Sequence, residues 1–432
     1  MTKQSPQAAE AHSEQEALSP ELVRLERARP IPRISIQAFC EDQHTVEVMH
    51  AASGDRRLAK SHLSVHMGGA QAAVRHYVDS PTPNLIILES SLPKEQLLAE
   101  LDRLAESCDA GTKVMIIGRA NDVALYRELL RRGVSEYLVA PLDTLLLIES
   151  LSNIYNDPEK DPVGNVIAFI GAKGGVGSST ICHNVAYAMS EGSKSDVVVA
   201  DLDLAFGTTG LDFNQDPVQG IADALLSPER LDEVLLDRLL TRCSDHLSIF
   251  SAPVVLDRDF DVTATACNAV LDVVRQNVPT VAVDLPHAWT PWIKSVLSNA
   301  DDIVVTAMPD LANLRNAKNI FDMLRAKRNN DAPPRLVINM ARMPKRPEIS
   351  IKEFTAALGV QPSLVLEFES EVFGLAANNG QMVEECSPKA KAAAQFRDLA
   401  FMLSKRKEYK NEARKAPAGA LAPLLQKLKI KL

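Results

Sequence analysis

A chain of 432 residues is longer than a single hydrophobic core supports, so two or three domains are expected. With 46% hydrophobic and 24% charged residues the composition is that of an ordinary globular protein, and no run approaches the roughly 18 apolar residues a spanning helix needs. Six cysteines without a CxxC pair argue against a zinc site or a disulfide framework and fit a reducing cytoplasm, while a net charge of −9 disfavours bulk attraction to nucleic acid.

Residues 1–30 are polar and lack the apolar core of a secretory signal; they are expected to form a disordered leader. Over 31–156, β-rich runs (RISIQAF, HLSVHM, PNLIILE, KVMIIG, EYLVA) alternate with helical patterns such as 94–106, where Leu97, Leu98, Leu101 and Leu104 share one stripe. That alternation predicts a parallel sheet covered on both faces. A charged, Pro-containing linker at 156–164 leads into a second α/β domain, 157–404. Its nearly continuous apolar runs (NVIAFIG, SDVVVADL, HLSIFSA, TVAVDLP, DDIVVTAM, PRLVINM) read as buried parallel strands. From 405 to 432 nine Lys/Arg face two Glu, a local balance of +7 that leaves −16 on the rest of the chain. In this tail Leu424, Leu425, Leu428 and Leu432 fall on one helical side and Lys427 and Lys431 on another, a weak pattern that suits either reversible membrane contact or a disordered solubilising tail.

The chemistry concentrates at 171–180, GAKGGVGSST, between the run NVIAFI and a helical stretch. A glycine-rich turn from strand to helix presents several backbone N–H groups to one point, and the helix N-terminus adds partial positive charge, so Gly174, Gly175, Val176, Gly177, Ser178, Ser179 and Thr180 form a candidate polyphosphate cradle. Ser179 stands where a P-loop hydroxyl binds Mg²⁺. Asp201 and Asp203 end one buried run and Asp284 another, where ligands sit in open α/β sheets. Asn339 ends RLVINM with an amide able to donate and accept toward a base edge at once. His183, beyond the loop, is expected to be a satisfied helix histidine.

The loop resembles the deviant Walker A motif, KGGxGK[ST], of MinD/ParA-type ATPases. Carried over residue by residue, the resemblance implies ATP and Mg²⁺ as cofactors. Lys173 is the signature lysine that reaches a dimer partner's nucleotide, and Asp203 orients the attacking water. Asp201 and Asp284 support Mg²⁺, and Asn339 reads adenine. Two departures stand out. Ser178 replaces the usual P-loop lysine, which weakens ATP binding, slows hydrolysis, or both; at most a weak ATPase is expected. His287 occupies the turn after Asp284 where the family often has glycine.

Residues 33–156 resemble the (βα)5 receiver domain of response regulators, with parts missing. Glu41 and Asp42 supply acids, but the acceptor position is Glu89, the hydroxyl position Gly118 and the lysine position Ala140. A pseudo-receiver for docking or dimerisation is the reading. A receiver-like front joined to a deviant Walker A domain resembles the CpaE/TadZ proteins of Flp (Tad) pilus assembly, and the block 219–253 adds to that likeness. The resemblance implies a homodimeric polar localisation factor that recruits pilus secretion machinery from the cytoplasm. The rival readings are a ParA-like DNA-partition ATPase, which the acidic body opposes, and a nonenzymatic scaffold with a decayed nucleotide site.

Overall fold

A computed structural model describes residues 28–109, 111–155, 163–253 and 260–404; most of the leader and of the linker, and the whole basic tail, lie outside them. The chain divides into two compact units, Met1–Pro162 with Arg325–Ala332, and Val163–Leu324 with Pro333–Leu432. Among the described residues no helix is long and apolar enough to cross a membrane.

The first unit is a five-stranded parallel sheet, the receiver-like (βα)5 fold. In chain order its elements are β1 (Ser35–Cys40), α1 (Gln43–Ser53), β2 (His62–Met67), α2 (Gly69–His76), β3 (Leu85–Ser90), α3 (Lys94–Ser107), β4 (Lys113–Gly118), α4 (Val123–Arg131), β5 (Glu136–Val139) and α5 (Thr144–Tyr155). The strand order is β2-β1-β3-β4-β5. All five expected strands are present. Because successive strand residues point to opposite faces, Ile36 and Ala38 join the core under α1 and α5, while Phe39 joins the core under α2, α3 and α4. The stripe of α3 packs as its spacing requires, with Leu97, Leu101 and Leu104 buried and Leu98 partly so.

The receiver positions that the sequence leaves altered are filled. Glu89, at the end of β3, is buried. Its Oε2 accepts hydrogen bonds from the backbone N–H of Glu41 (2.7 Å) and Asp42 (3.0 Å), and its Oε1 from the Thr45 hydroxyl (2.8 Å). The acids are equally engaged: Glu41 accepts from Ser91 N–H at 2.9 Å, and Asp42 caps α1 through His44 N–H at 3.1 Å. At Gly118 an added Cβ would run into the Tyr137 ring, whose hydroxyl donates to the Ala120 carbonyl at 2.7 Å. The tyrosine thus takes the space a larger residue at 118 would need. Glu89→Ala is expected to destabilise this unit by about 2–4 kcal/mol, since two part-buried N–H donors and the buried Thr45 hydroxyl lose their acceptor. Hydrogen exchange should quicken first in the turn between β1 and α1; unchanged protection there would contradict it.

The second unit is built on an eight-stranded, mostly parallel sheet, β13-β12-β11-β6-β10-β7-β9-β8. Its strands are β6 (Asn165–Gly171), β7 (Val197–Asp201), β8 (Thr241–Arg242), β9 (Leu247–Phe250), β10 (Thr280–Asp284), β11 (Asp302–Ala307), β12 (Arg335–Ala341) and β13 (Pro362–Glu367). Only β8 runs antiparallel, against β9. The six expected strands are present, and β8 and β13 extend the two edges. Helices α6 (Ser178–Ser193), α7 (Thr209–Asp212), α8 (Ile221–Leu226), α9 (Glu233–Leu239), α10 (Ala264–Asn277), α11 (Pro291–Asn299), α12 (Leu311–Lys327), α13 (Ile351–Leu358), α14 (Ser370–Asn379), α15 (Val383–Cys386) and α16 (Lys391–Leu403) complete it. Cores lie on both faces: α6 and α16 pack on one, and α8 to α13 on the other. Burial on both sides explains why these strands read as continuous apolar runs. β6 lies in the middle, between β11 and β10, so the turn leaving it emerges where connections diverge to either side.

Candidate nucleotide site

The turn from β6 to α6 is held from below. Ala172 N–H donates to the Thr306 carbonyl at 2.8 Å, Asn316 Nδ2 donates to the Ala172 carbonyl at 2.9 Å, and the His287 ring bonds the Gly171 carbonyl at 3.1 Å. His287 therefore ties the turn after β10 to the base of the loop. Above this, Lys173, Gly174 and Gly175 are exposed, Val176 plugs into the interior, and Gly177 opens the helix. Gly175 and Gly177 have φ of +76° and +83°. A Cβ at Gly177 would also come within 2.6 Å of Asn339 Nδ2, so both conformation and space require glycine there.

Register brings the carboxylates together. Asp284 on β10 pairs directly with Asp201 on β7 and with Phe169 on β6. Neighbouring residues in parallel strands point the same way, so two acids far apart in sequence share one buried spot. Asp201 Oδ2 accepts from the Thr209 hydroxyl (2.6 Å), and its Oδ1 accepts from Asp203 N–H (3.0 Å). Asp203 Oδ1 accepts in turn from Phe206 N–H at 3.1 Å. Ser179, in the first turn of α6, favours the charged form of Asp284. Burial, reinforced by Asp201, pushes the Asp284 carboxyl up to about 7, and burial also raises Asp201.

His183 is the residue whose surroundings the sequence did not disclose. It is fully buried, with ring nitrogens 2.8 Å from Asp212 Oδ2 and 3.1 Å from Thr209 Oγ1, and Nε2 lies 3.8 Å from Asp284 Oδ2. As expected, it is satisfied; beyond that, it sits among the carboxylates. Burial alone would lower its pKa, but the Asp212 hydrogen bond and the charges of Asp284, Asp212 and Asp201 override that and raise it. Nothing in the local sequence points to Thr209 or Asp212, since their place depends on how α7 folds back onto α6.

Asn339 lines the other side. Its Nδ2 donates to the Val176 carbonyl at 2.8 Å and its Oδ1 accepts from Met340 N–H at 2.8 Å. One hydrogen and one lone pair remain on that amide. Beside it opens a cavity of about 290 Å³ lined by Gly177, Thr180, Asn184, Asn339, Phe368 and Phe373. Residues 367–383, from the end of β13 through α14, supply much of its wall and carry no motif.

Two observations test the fit to Mg²⁺. Asp284 Oδ1 is buried without a hydrogen-bond partner among the described residues, and so is the Ser178 hydroxyl. Among those residues no three His, Cys, Asp or Glu side chains form a cation cage. An unpartnered carboxylate oxygen suits a small hard cation that takes its other ligands from hydroxyl, phosphate and water. Loop and carboxylates fit such an ion together with a polyphosphate.

No family model matches the chain. Over 30% of its length it is 46% identical to the pilus assembly protein CpaE of Caulobacter crescentus, covering 98% of that chain, with a TM-score of 0.29. The chain belongs to the CpaE branch of the MinD/ParA superfamily. The sequence identity carries that assignment and the superposition adds nothing to it. The septum site-determining protein MinD of Bacillus subtilis is 26% identical over 257 residues, which are 55% of this chain and 88% of MinD. MinD of Pyrococcus horikoshii, solved as a complex with Mg-ADP, is 18% identical and superposes with a TM-score of 0.50, covering 56% of this CpaE-type chain and 96% of its own; it shows the shared fold.

Proposed function

We propose that this CpaE-type chain is an ATP- and Mg²⁺-controlled dimerising factor that positions the assembly of a Flp/Tad pilus machine. The observation that carries the reading is the buried pair Asp201–Asp284, brought side by side by strand register, with Asp284 on the strand next to the one that leads into the glycine-rich loop and its Oδ1 unpartnered among the described residues. Residues 174–180 cradle the phosphates with backbone N–H groups. Ser179 would hold Mg²⁺, with Asp201 and Asp284 supporting it, and such an ion would supply positive charge beside the phosphates. Asn339 offers its remaining donor and acceptor to the base. Asp203 orients water for whatever hydrolysis occurs, and the exposed Lys173 reaches the nucleotide held by a second copy. The CpaE relative's role in pilus assembly and the nucleotide in the MinD complex support this assignment.

The test measures Mg-ATP binding by calorimetry and mass by sedimentation, for the wild type and for Lys173→Ala. Mg-ATP is expected to raise the sedimenting mass of the wild type, and the substitution to abolish that step. No binding at about 1 mM ATP would sink the reading. It would leave a scaffold on an inherited fold, the second reading, which the serine at 178 favours.

A further inference from the structure

We infer that His287 distinguishes a nucleoside triphosphate from a diphosphate, its ring Nε2 taking the terminal phosphate. The inference rests on the nucleotide reading above and gives one more residue a part in it. Strand order sets the two ends of the site. β6 lies between β11 and β10, so Asn339, on β12, and His287, after β10, flank the loop from opposite sides. The loop itself is divided the same way. A Cβ at Gly177 would press on Asn339 Nδ2, whereas a Cβ at Gly174 would have His287 Cδ2, at 3.9 Å, as its only neighbour within 4 Å outside the adjoining residues. A nucleotide whose base meets Asn339 therefore runs its phosphates from Gly177 toward Gly174 and ends beside His287.

The partner of the ring decides which nitrogen is open. A carbonyl only accepts, so Nδ1, 3.1 Å from the Gly171 carbonyl oxygen, carries a proton and donates it. Nε2, bonded to the Cδ2 that faces Gly174, has no hydrogen bond among the described residues, and His287 is exposed. One nitrogen fixes the aim of the ring and the other is left for a ligand. Carrying a proton as well, Nε2 donates a charge-assisted hydrogen bond to a phosphate oxygen. Positive charge is wanted at this end. Asp201, Asp203 and Asp284 bring three carboxylates to the β7–β10 side, and position 178 carries serine. The cation of the loop itself, Lys173, is exposed and in the reading above serves the nucleotide of a second copy. A diphosphate ends short of the ring and gains nothing from it.

Calorimetry on the full chain with Mg²⁺ tests this, using ADP and the non-hydrolysable β,γ-imido analogue of ATP. The wild type is expected to bind the triphosphate analogue more tightly than ADP. His287→Ala is expected to weaken binding of the analogue roughly tenfold or more and to change ADP binding by less than about twofold. His287→Phe keeps the bulk of the ring without its nitrogens and is expected to do the same, which decides the matter should the alanine variant fold poorly. A ring that merely ties the loop to the turn after β10 would, when removed, weaken both ligands in parallel. That result, or an unchanged ratio between them, overturns the inference and leaves the nucleotide reading standing. A wild type that binds neither ligand at about 1 mM removes the reading and the inference together.

Discussion

Replacing Ser178 with lysine is expected to tighten Mg-ATP binding roughly 30- to 100-fold, an effect of about 2–3 kcal/mol. Ser178 is the first residue of α6, next to Gly177, and its hydroxyl is buried without a partner among the described residues. A P-loop lysine at this point makes charge-assisted hydrogen bonds to the β- and γ-phosphates and offsets their repulsion. Serine supplies neither the charge nor the reach. The glycine-rich turn and the Asp201–Asp284 pair are already in place, so a single substitution completes the constellation. Calorimetry on the wild type and Ser178→Lys would measure it. Equal affinities would mean that phosphates do not occupy the cradle as proposed, whatever else binds there. A gain would identify the serine as the cause of weak binding.

Asp331→Ala is expected to destabilise the first unit by about 3–5 kcal/mol, because three buried guanidiniums lose a shared carboxylate. This unit includes Arg325–Ala332. Within it Asp331 Oδ2 accepts from Arg56 Nε at 2.7 Å and from Arg328 Nε at 2.8 Å, while Oδ1 meets Arg57. Asp55 engages Arg57 as well, at 3.1 Å, and Asn330 donates to Asp55 at 3.0 Å. All four side chains of the Asp331 cluster are at most 8% exposed. Burial by itself would raise the Asp331 pKa, but the charges of Arg56, Arg328 and Arg57 override it and hold the carboxyl well below the usual carboxylate range. The pH dependence follows from that direction. An unfolded aspartate titrates near 3.9, so the contribution of Asp331 is fully present above about pH 4 and is lost as pH falls below it. Urea melts at pH 7 and pH 3 would therefore show the wild type losing stability in acid and Asp331→Asn losing less. A variant as stable as the wild type at pH 7 would show that the cluster contributes little.

Much of the proposed site could be read in advance because its signals are local. The turn GAKGGVGSS needs positive φ at Gly175 and Gly177, and only glycine tolerates that freely, so the shape of the loop is written in its residue types. The strands ending in Asp201 and Asp284 are apolar on both faces, which a sequence records as uninterrupted runs. The edge strands left no such record. β13, QPSLVLEF in context, begins at a proline and is half exposed, and β8 spans two residues that pair only because β9 lies alongside. The front domain is a similar case: the missing acceptor and lysine were plain, but the use of Glu89 as an acceptor for three hydrogen bonds was not.

What the sequence determined by itself was thus the class of fold, the glycine-rich turn between strand and helix, the acids at the strand ends and the serine at 178. Each follows from backbone preference or from hydrophobic period over a few residues. Only the tertiary structure decided that Asp201 and Asp284 sit side by side, that His183, Thr209 and Asp212 close around them, and that Asp331 lies among arginines some 275 positions away. These depend on strand order and register, which are set by the packing of whole elements. A residue's chemistry fixes what it can bond, but the neighbours that share its low-dielectric surroundings, and so set its charge, are chosen by the fold.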